Sequence, residues 1–124
     1  MRCAWLAWLV VAMLFCHRDG AWAQSPSGTG PRRFTLLVAS TDGGPGRARL
    51  RYPSKDTESL QRVLLEIGGV NGHDLEPLVD PDGATVEKKL LPLRQKAAQT
   101  PGPKQFFFFY SGHSDERGLL LFGS

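Results

Sequence analysis

The chain has 124 residues, 41% of them hydrophobic and 22% charged, the proportions of one globular domain. Its net charge is +3, and setting aside residues 1–23, which carry two arginines and one aspartate, leaves +2. With basic residues scattered apart from Arg47, Arg49 and Arg51, that charge excludes nucleic acid or an anionic membrane as a partner selected by charge alone.

Residues 1–23 have the layout of a secretory signal peptide. Arg2 supplies the positive start, residues 3–16 (CAWLAWLVVAMLFC) the apolar stretch, and Ala21-Trp22-Ala23 a cleavage site before Gln24. The 14 apolar residues fall short of the roughly 20 that a membrane-spanning helix needs. Cleavage is therefore expected rather than an uncleaved anchor, leaving an exported protein, periplasmic or extracellular, with no stable membrane span. Cys16 follows Met13-Leu14-Phe15, too bulky for a lipid-anchored cysteine. Both cysteines, Cys3 and Cys16, lie in this leader, so the mature chain is expected to hold neither a disulfide nor a thiolate nucleophile. Residues 24–32 then read as a flexible linker around SPSGTGP, and residues 33–124 as the folded domain.

Residues 34–39, FTLLVA, form a nearly continuous apolar run, which suits a strand buried on both faces. A Gly/Pro/Arg loop over 40–55 follows. A helix is expected next, capped by Ser54 or Asp56, with Leu60, Val63, Leu64 and Ile67 on one face and Gly68-Gly69 ending it. Residues 75–79, LEPLV, read as a strand that Pro77 confines to a sheet edge. Asp80-Pro81-Asp82-Gly83 is a turn signal. A second helix is expected over 85–98, with Val86, Leu90 and Leu93 on one face and Pro92 kinking or breaking it. Residues 106–110, FFFFY, resemble the strand at the centre of an α/β sheet, and residues 119–122 a further short strand.

The alternation β-α-β-α-β places the chain in the α/β class, with a parallel sheet and right-handed crossovers. In the strand order 2-1-3, Pro77 falls on the edge, and the first and third strands flank the topological switch point. Loops 40–55 and 111–118 feed that crevice at the carboxyl ends. His113 stands at the end of the most apolar strand, and Arg47, Arg49 and Arg51 stand in the other loop. Taken alone, His113 also reads as a structural histidine and the arginines as a solvated basic loop. Asp115 and Glu116 have no second histidine or cysteine near them in sequence, so a solvated turn is expected rather than a metal site. His73 is assigned no role. Gly43, Gly44 and Gly46 make neither a dinucleotide fingerprint nor a P-loop, which argues against a phosphate binder.

Phe106-Phe-Phe-Phe-Tyr-Ser-Gly-His113, continuing as Ser114-Asp115-Glu116-Arg117-Gly118-Leu119, resembles the caspase-like cysteine peptidases (caspases, metacaspases and paracaspases), above all exported bacterial members. Residues 34–40, the following loop and the Asp56 helix also resemble that family's first strand and helix. The likeness covers roughly residues 33–124. It implies a three-layer α/β/α sandwich, here holding only the part up to the third core strand. It implies that His113 is the catalytic histidine, paired with a cysteine about 50 residues further on. The thiolate would attack the scissile carbonyl and the imidazolium would protonate the leaving amine. Gly112 and Ser114 become candidate backbone oxyanion donors, although many caspases have glycine where Ser114 stands. Arg47, Arg49 and Arg51 become candidates to hold an acidic P1 side chain; metacaspases instead use acidic groups to hold Arg or Lys. The implied partner is a protein or peptide substrate, with no cofactor and no metal. Only 11 residues follow His113, so the chain alone is expected to be inactive. The alternative is a non-catalytic pseudopeptidase, a binding or regulatory module using the same crevice.

Overall fold

The computed structural model describes residues 30–123. The expected signal peptide, both cysteines and residues 24–29 of the linker lie outside the described residues. Among the described residues the order is β1 (Arg32–Ala39), α1 (Pro53–Glu66), a 3₁₀ turn (Gly72–Asp74), β2 (Leu75–Val79), α2 (Gly83–Gln99), β3 (Lys104–Ser111), β4 (Ser114–Asp115) and β5 (Gly118–Leu119).

The three long strands form a parallel sheet in the order β2-β1-β3, as the alternation predicts. Pro77 lies on the edge strand β2, where its missing N–H breaks no ladder. The central strand is β1, and Phe34, Leu36, Leu37, Val38 and Ala39 are all buried. Its alternate side chains supply two cores. Phe34, Leu36 and Val38 pack with Leu78 and with Leu93, Leu90 and Val86 of α2. On the other face, Leu37 packs with Val70 and Leu75 and with Leu60 and Leu64 of α1. The helices therefore cover opposite faces of the sheet. Each fully buried Leu, Val or Phe contributes about 1.5–3 kcal/mol, so β1 dominates the stability of the unit.

Several local expectations are corrected. The first residue of α1 is Pro53, with Tyr52 at its N-cap and no side-chain cap, so neither Ser54 nor Asp56 caps it. A proline is preorganised for that first turn and lacks an N–H to satisfy. Val63 and Ile67 are exposed, unlike Leu60 and Leu64. At its start, α2 takes Asp82 as the cap, whose carboxylate accepts from Thr85 N at 2.7 Å, so Gly83 is already helical. Hydrogen bonding from the Thr85 side chain, and then from its N–H, holds the Asp82 carboxyl below its ordinary range. Pro92 does not break α2, which runs on to Gln99. The prolyl ring lies on the exposed face, so the Lys88 carbonyl it leaves unbonded meets water. Of the strand expected over 119–122 only Leu119 is in a strand, as the end of β5 in the short hairpin with β4, and residues 120–122 lie beyond it.

The β3 strand is not central among the described strands but forms the other border of the sheet. Phe106, Phe107 and Phe108 are 53%, 40% and 44% exposed, on both faces of that strand. At the opposite, amino-terminal end of the sheet, Arg32 bonds Asp74 through Nε (2.7 Å) and the second guanidinium nitrogen (2.9 Å). Asp74 is buried, and the Arg32 hydrogen bonds hold its carboxyl below the ordinary range against the opposing effect of burial.

Candidate active site

The carboxyl ends of β1 and β3 are in register, Ala39 beside Ser111, and Ser40 N donates to Ser111 O at 2.8 Å. Beyond that point the chain turns in two directions. After β1 it enters a loop over 41–50 that is closed by Leu50 N donating to Thr41 O at 2.8 Å. After β3 it passes Gly112 and His113 into the β4–β5 hairpin. His113 is half-buried and leans across to the first loop, where its Nε2 lies 2.8 Å from the Ala48 carbonyl oxygen. A carbonyl only accepts, so Nε2 carries the proton and Nδ1 of the neutral ring is left as an acceptor.

Two glycines make room for this arrangement. A methyl on Gly43 would collide with His113 Cδ2, lie 2.6 Å from Cγ, and lie 2.8 Å from Arg47 Cδ. Gly43 is thus the floor of the imidazole slot. A methyl on Gly112 would collide with the Tyr110 hydroxyl. That hydroxyl lies 2.7 Å from His113 O and 2.5 Å from Leu120 O, and burial pushes the phenol pKa up. It has one proton to share between two carbonyls. Leu120 N also donates to His113 O at 2.9 Å, so the His113 main chain is held from two sides.

The same contact settles the hairpin ladder. His113 and Leu120 form a hydrogen-bonded pair, so Ser114 and Leu119 form the next, non-hydrogen-bonded pair. The Ser114 N–H therefore points away from β5.

The arginines do not act as a group. Arg47 donates to Gly43 O at 3.1 Å and to Asp115 Oδ2 at 3.1 Å, joining the two crevice loops. Arg49 pairs with Asp80 at 3.6 Å. Arg51 is exposed and forms no ion pair among the described residues. Asp115 is not a simple solvated turn residue. It accepts from Arg117 N at 2.9 Å, and that bond, with the Arg117 and Arg47 charges, holds its carboxyl low. Among the described residues, no three His, Cys, Asp or Glu side chains gather to hold a metal ion. No described helix is long and apolar enough to cross a membrane.

Asp56 was expected only as a helix cap. Its carboxylate instead accepts from Ser111 Oγ at 3.2 Å, two residues before His113, and forms no ion pair among the described residues. Gly43 and Ala48 carry no signal in the sequence, because one acts through a missing side chain and the other through its backbone. No protein-family model matches the chain, and no curated protein matches it in sequence.

Proposed function

We propose that this chain is the histidine-bearing part of an exported caspase-like cysteine endopeptidase, with His113 as the general base and acid of a Cys-His dyad. The observation that carries the reading is the His113 imidazole at the carboxyl end of β3. Its Nε2 is committed to the Ala48 carbonyl, and its Nδ1 is left to take a thiol proton. The border of β3 supports it. A strand added parallel to β3 would lie about 4.8 Å away and would end beside Ser111 and His113. A cysteine at the end of such a strand reaches the imidazole, and the same strand covers the exposed phenylalanine edge. The given chain has cysteine only at positions 3 and 16, so the thiol belongs to polypeptide outside the domain described.

In this mechanism Nδ1 accepts the thiol proton, and the resulting imidazolium keeps its hydrogen bond to Ala48. The thiolate attacks the scissile carbonyl, and the imidazolium returns the proton to the leaving amine. Ser114 N–H and Gly112 N–H are the candidate donors to the oxyanion. Two of the three arginines already hold carboxylates of the chain, so an acidic P1 side chain would have to displace one of them or settle on Arg51. Asp56, anchored by Ser111, favours a lysine or arginine at P1 instead.

The test joins this chain to the coding sequence that follows Ser124 and assays fluorogenic peptide amides with Lys, Arg or Asp at P1. Hydrolysis that is abolished by iodoacetamide and by His113→Ala is expected. The proposal fails if about 60 following codons encode no apolar strand ending in cysteine, or if His113→Ala keeps the activity. The cysteine content favours one second reading, a non-catalytic module that binds peptide in the same crevice. A monomeric preparation of the given chain with a cooperative melt and saturable peptide binding would support it.

A further inference from the structure

We propose that Asp80 is a positioning residue for the His113 imidazole and acts through the 41–50 loop. Asp80 follows β2, two strands away from His113, and touches neither the ring nor its acceptor. Its backbone is in the left-handed region at φ +48°, the one non-glycine residue there among those described. Aspartate tolerates this conformation better than most side chains, but an extended residue would be the default after a strand. The turn is held by Asp80 N donating to Ala39 O at 2.8 Å.

What the turn achieves is the aim of the carboxylate. Both oxygens face Thr41: Oδ1 accepts from its N–H at 2.6 Å, and Oδ1 and Oδ2 lie 2.9 and 2.8 Å from its Oγ1. Oδ2 also pairs with Arg49 at 3.6 Å. Thr41 and Arg49 are the two ends of the loop, next to its closing bond from Leu50 N to Thr41 O. One carboxylate thereby clamps both ends of the segment whose residue 48 presents its carbonyl to Nε2. The loop is also fastened by Arg47 to Asp115 at 3.1 Å and by Ser40 Oγ donating to Asp42 O at 3.2 Å. The groups facing the Asp80 carboxylate are Thr41 and Arg49, so its charge is matched locally and its role is mechanical. The catalytic meaning of this clamp rests on the peptidase reading, whereas its effect on the ring does not.

The test is imidazole ¹⁵N NMR on the full chain with ¹⁵N-labelled histidine, resolved for His113. Asp80→Gly permits the left-handed turn but removes the carboxylate, so it separates the clamp from the backbone conformation. It is expected to convert a single Nε2–H tautomer into a mixture and to speed Nε2–H exchange with solvent by about tenfold. Asp80→Asn keeps one acceptor oxygen and is expected to restore most of the wild-type signature, which a purely structural role would not require. Thr41→Val removes the hydroxyl partner alone and is expected to give an intermediate effect if Asp80→Gly fails to fold. Wild-type tautomer and exchange in a folded Asp80→Gly, or in Thr41→Val where the former is unfolded, overturns the proposal. In the protein completed by the downstream sequence, altered His113 signals without peptide hydrolysis would sink the peptidase reading alone. Unaltered signals with His113-dependent hydrolysis would sink the Asp80 assignment alone.

Discussion

His113 and Ala48 lie 65 positions apart in the chain and 2.8 Å apart in space, joined by the imidazole Nε2 and a backbone oxygen. Because the acceptor is a carbonyl, the bond survives protonation of the ring and fixes its neutral tautomer. Long-range ¹H–¹⁵N correlation on the neutral protein is expected to show His113 with a protonated Nε2 and a bare Nδ1. A dominant Nδ1–H form would contradict the geometry and remove the base from the proposed dyad.

Gly43→Ala is expected to unseat the ring without touching any polar group. The added methyl has nowhere to go, with His113 Cγ at 2.6 Å and Arg47 Cδ at 2.8 Å. Overpacking of this kind costs about 1–3 kcal/mol. If the proposed peptidase reading holds, kcat should fall by about 100-fold with KM little changed, as for a catalytic group displaced by about 1 Å. Steady-state kinetics on the variant checks this, and an unchanged kcat would show that the slot is dispensable.

Acid stability is expected to follow Asp74. Its carboxyl is held below the ordinary range by Arg32, so the folded form releases the proton more readily than the unfolded form. The resulting stabilisation is fully present above the ordinary aspartate value of about 3.9 and is lost as pH falls through the lowered folded value. Denaturant melts of wild type and Asp74→Asn should therefore differ most near neutrality and converge at low pH. Curves that stay parallel down to pH 2 would assign the acid limb to other groups.

The β3 border should make the given chain self-associate. Phe106 and Phe108 point to one face and Phe107 to the other, with no strand pairing the outer edge among the described residues. Light scattering of residues 24–124 is expected to rise with concentration. The double change Phe106→Lys and Phe108→Lys should suppress that rise, since charged edges resist strand addition. Equal scattering from both proteins would place the sticky surface elsewhere.

The sheet was largely legible because its cues are strong ones. An unbroken apolar run marks β1, and Pro77 marks an edge strand that can have only one neighbour. The helix faces were read less well, for a geometric reason. Leu64 is rotated about 40° from Leu60 in one sense and Val63 about 60° in the other, so a narrow contact stripe takes the first and excludes the second. Ile67 has the right phase but follows Glu66, the last residue of α1, and the chain has already left the sheet there. The centrality expected of the phenylalanine run was a statement about composition, and composition cannot say how many strands lie beyond. At the site, Tyr-Ser-Gly-His was visible as a motif. Its supports were not, because the Ala48 carbonyl belongs to no residue type and Asp80 looked like an ordinary turn former.

The segment after the hairpin has a consequence for direction of approach. Leu120 is buried, its carbonyl accepts from Ser40 Oγ at 2.9 Å, and Phe122 N reaches Pro81 O at 3.0 Å. Leu121 joins the core on the α2 side. The strap therefore roofs the sheet ends on that side, while Ser111 Oγ and Asp56 stand on the α1 side. Under the proposed function a peptide would approach the imidazole past the first turn of α1, and a bulky graft there should block access while the same graft behind α2 should not.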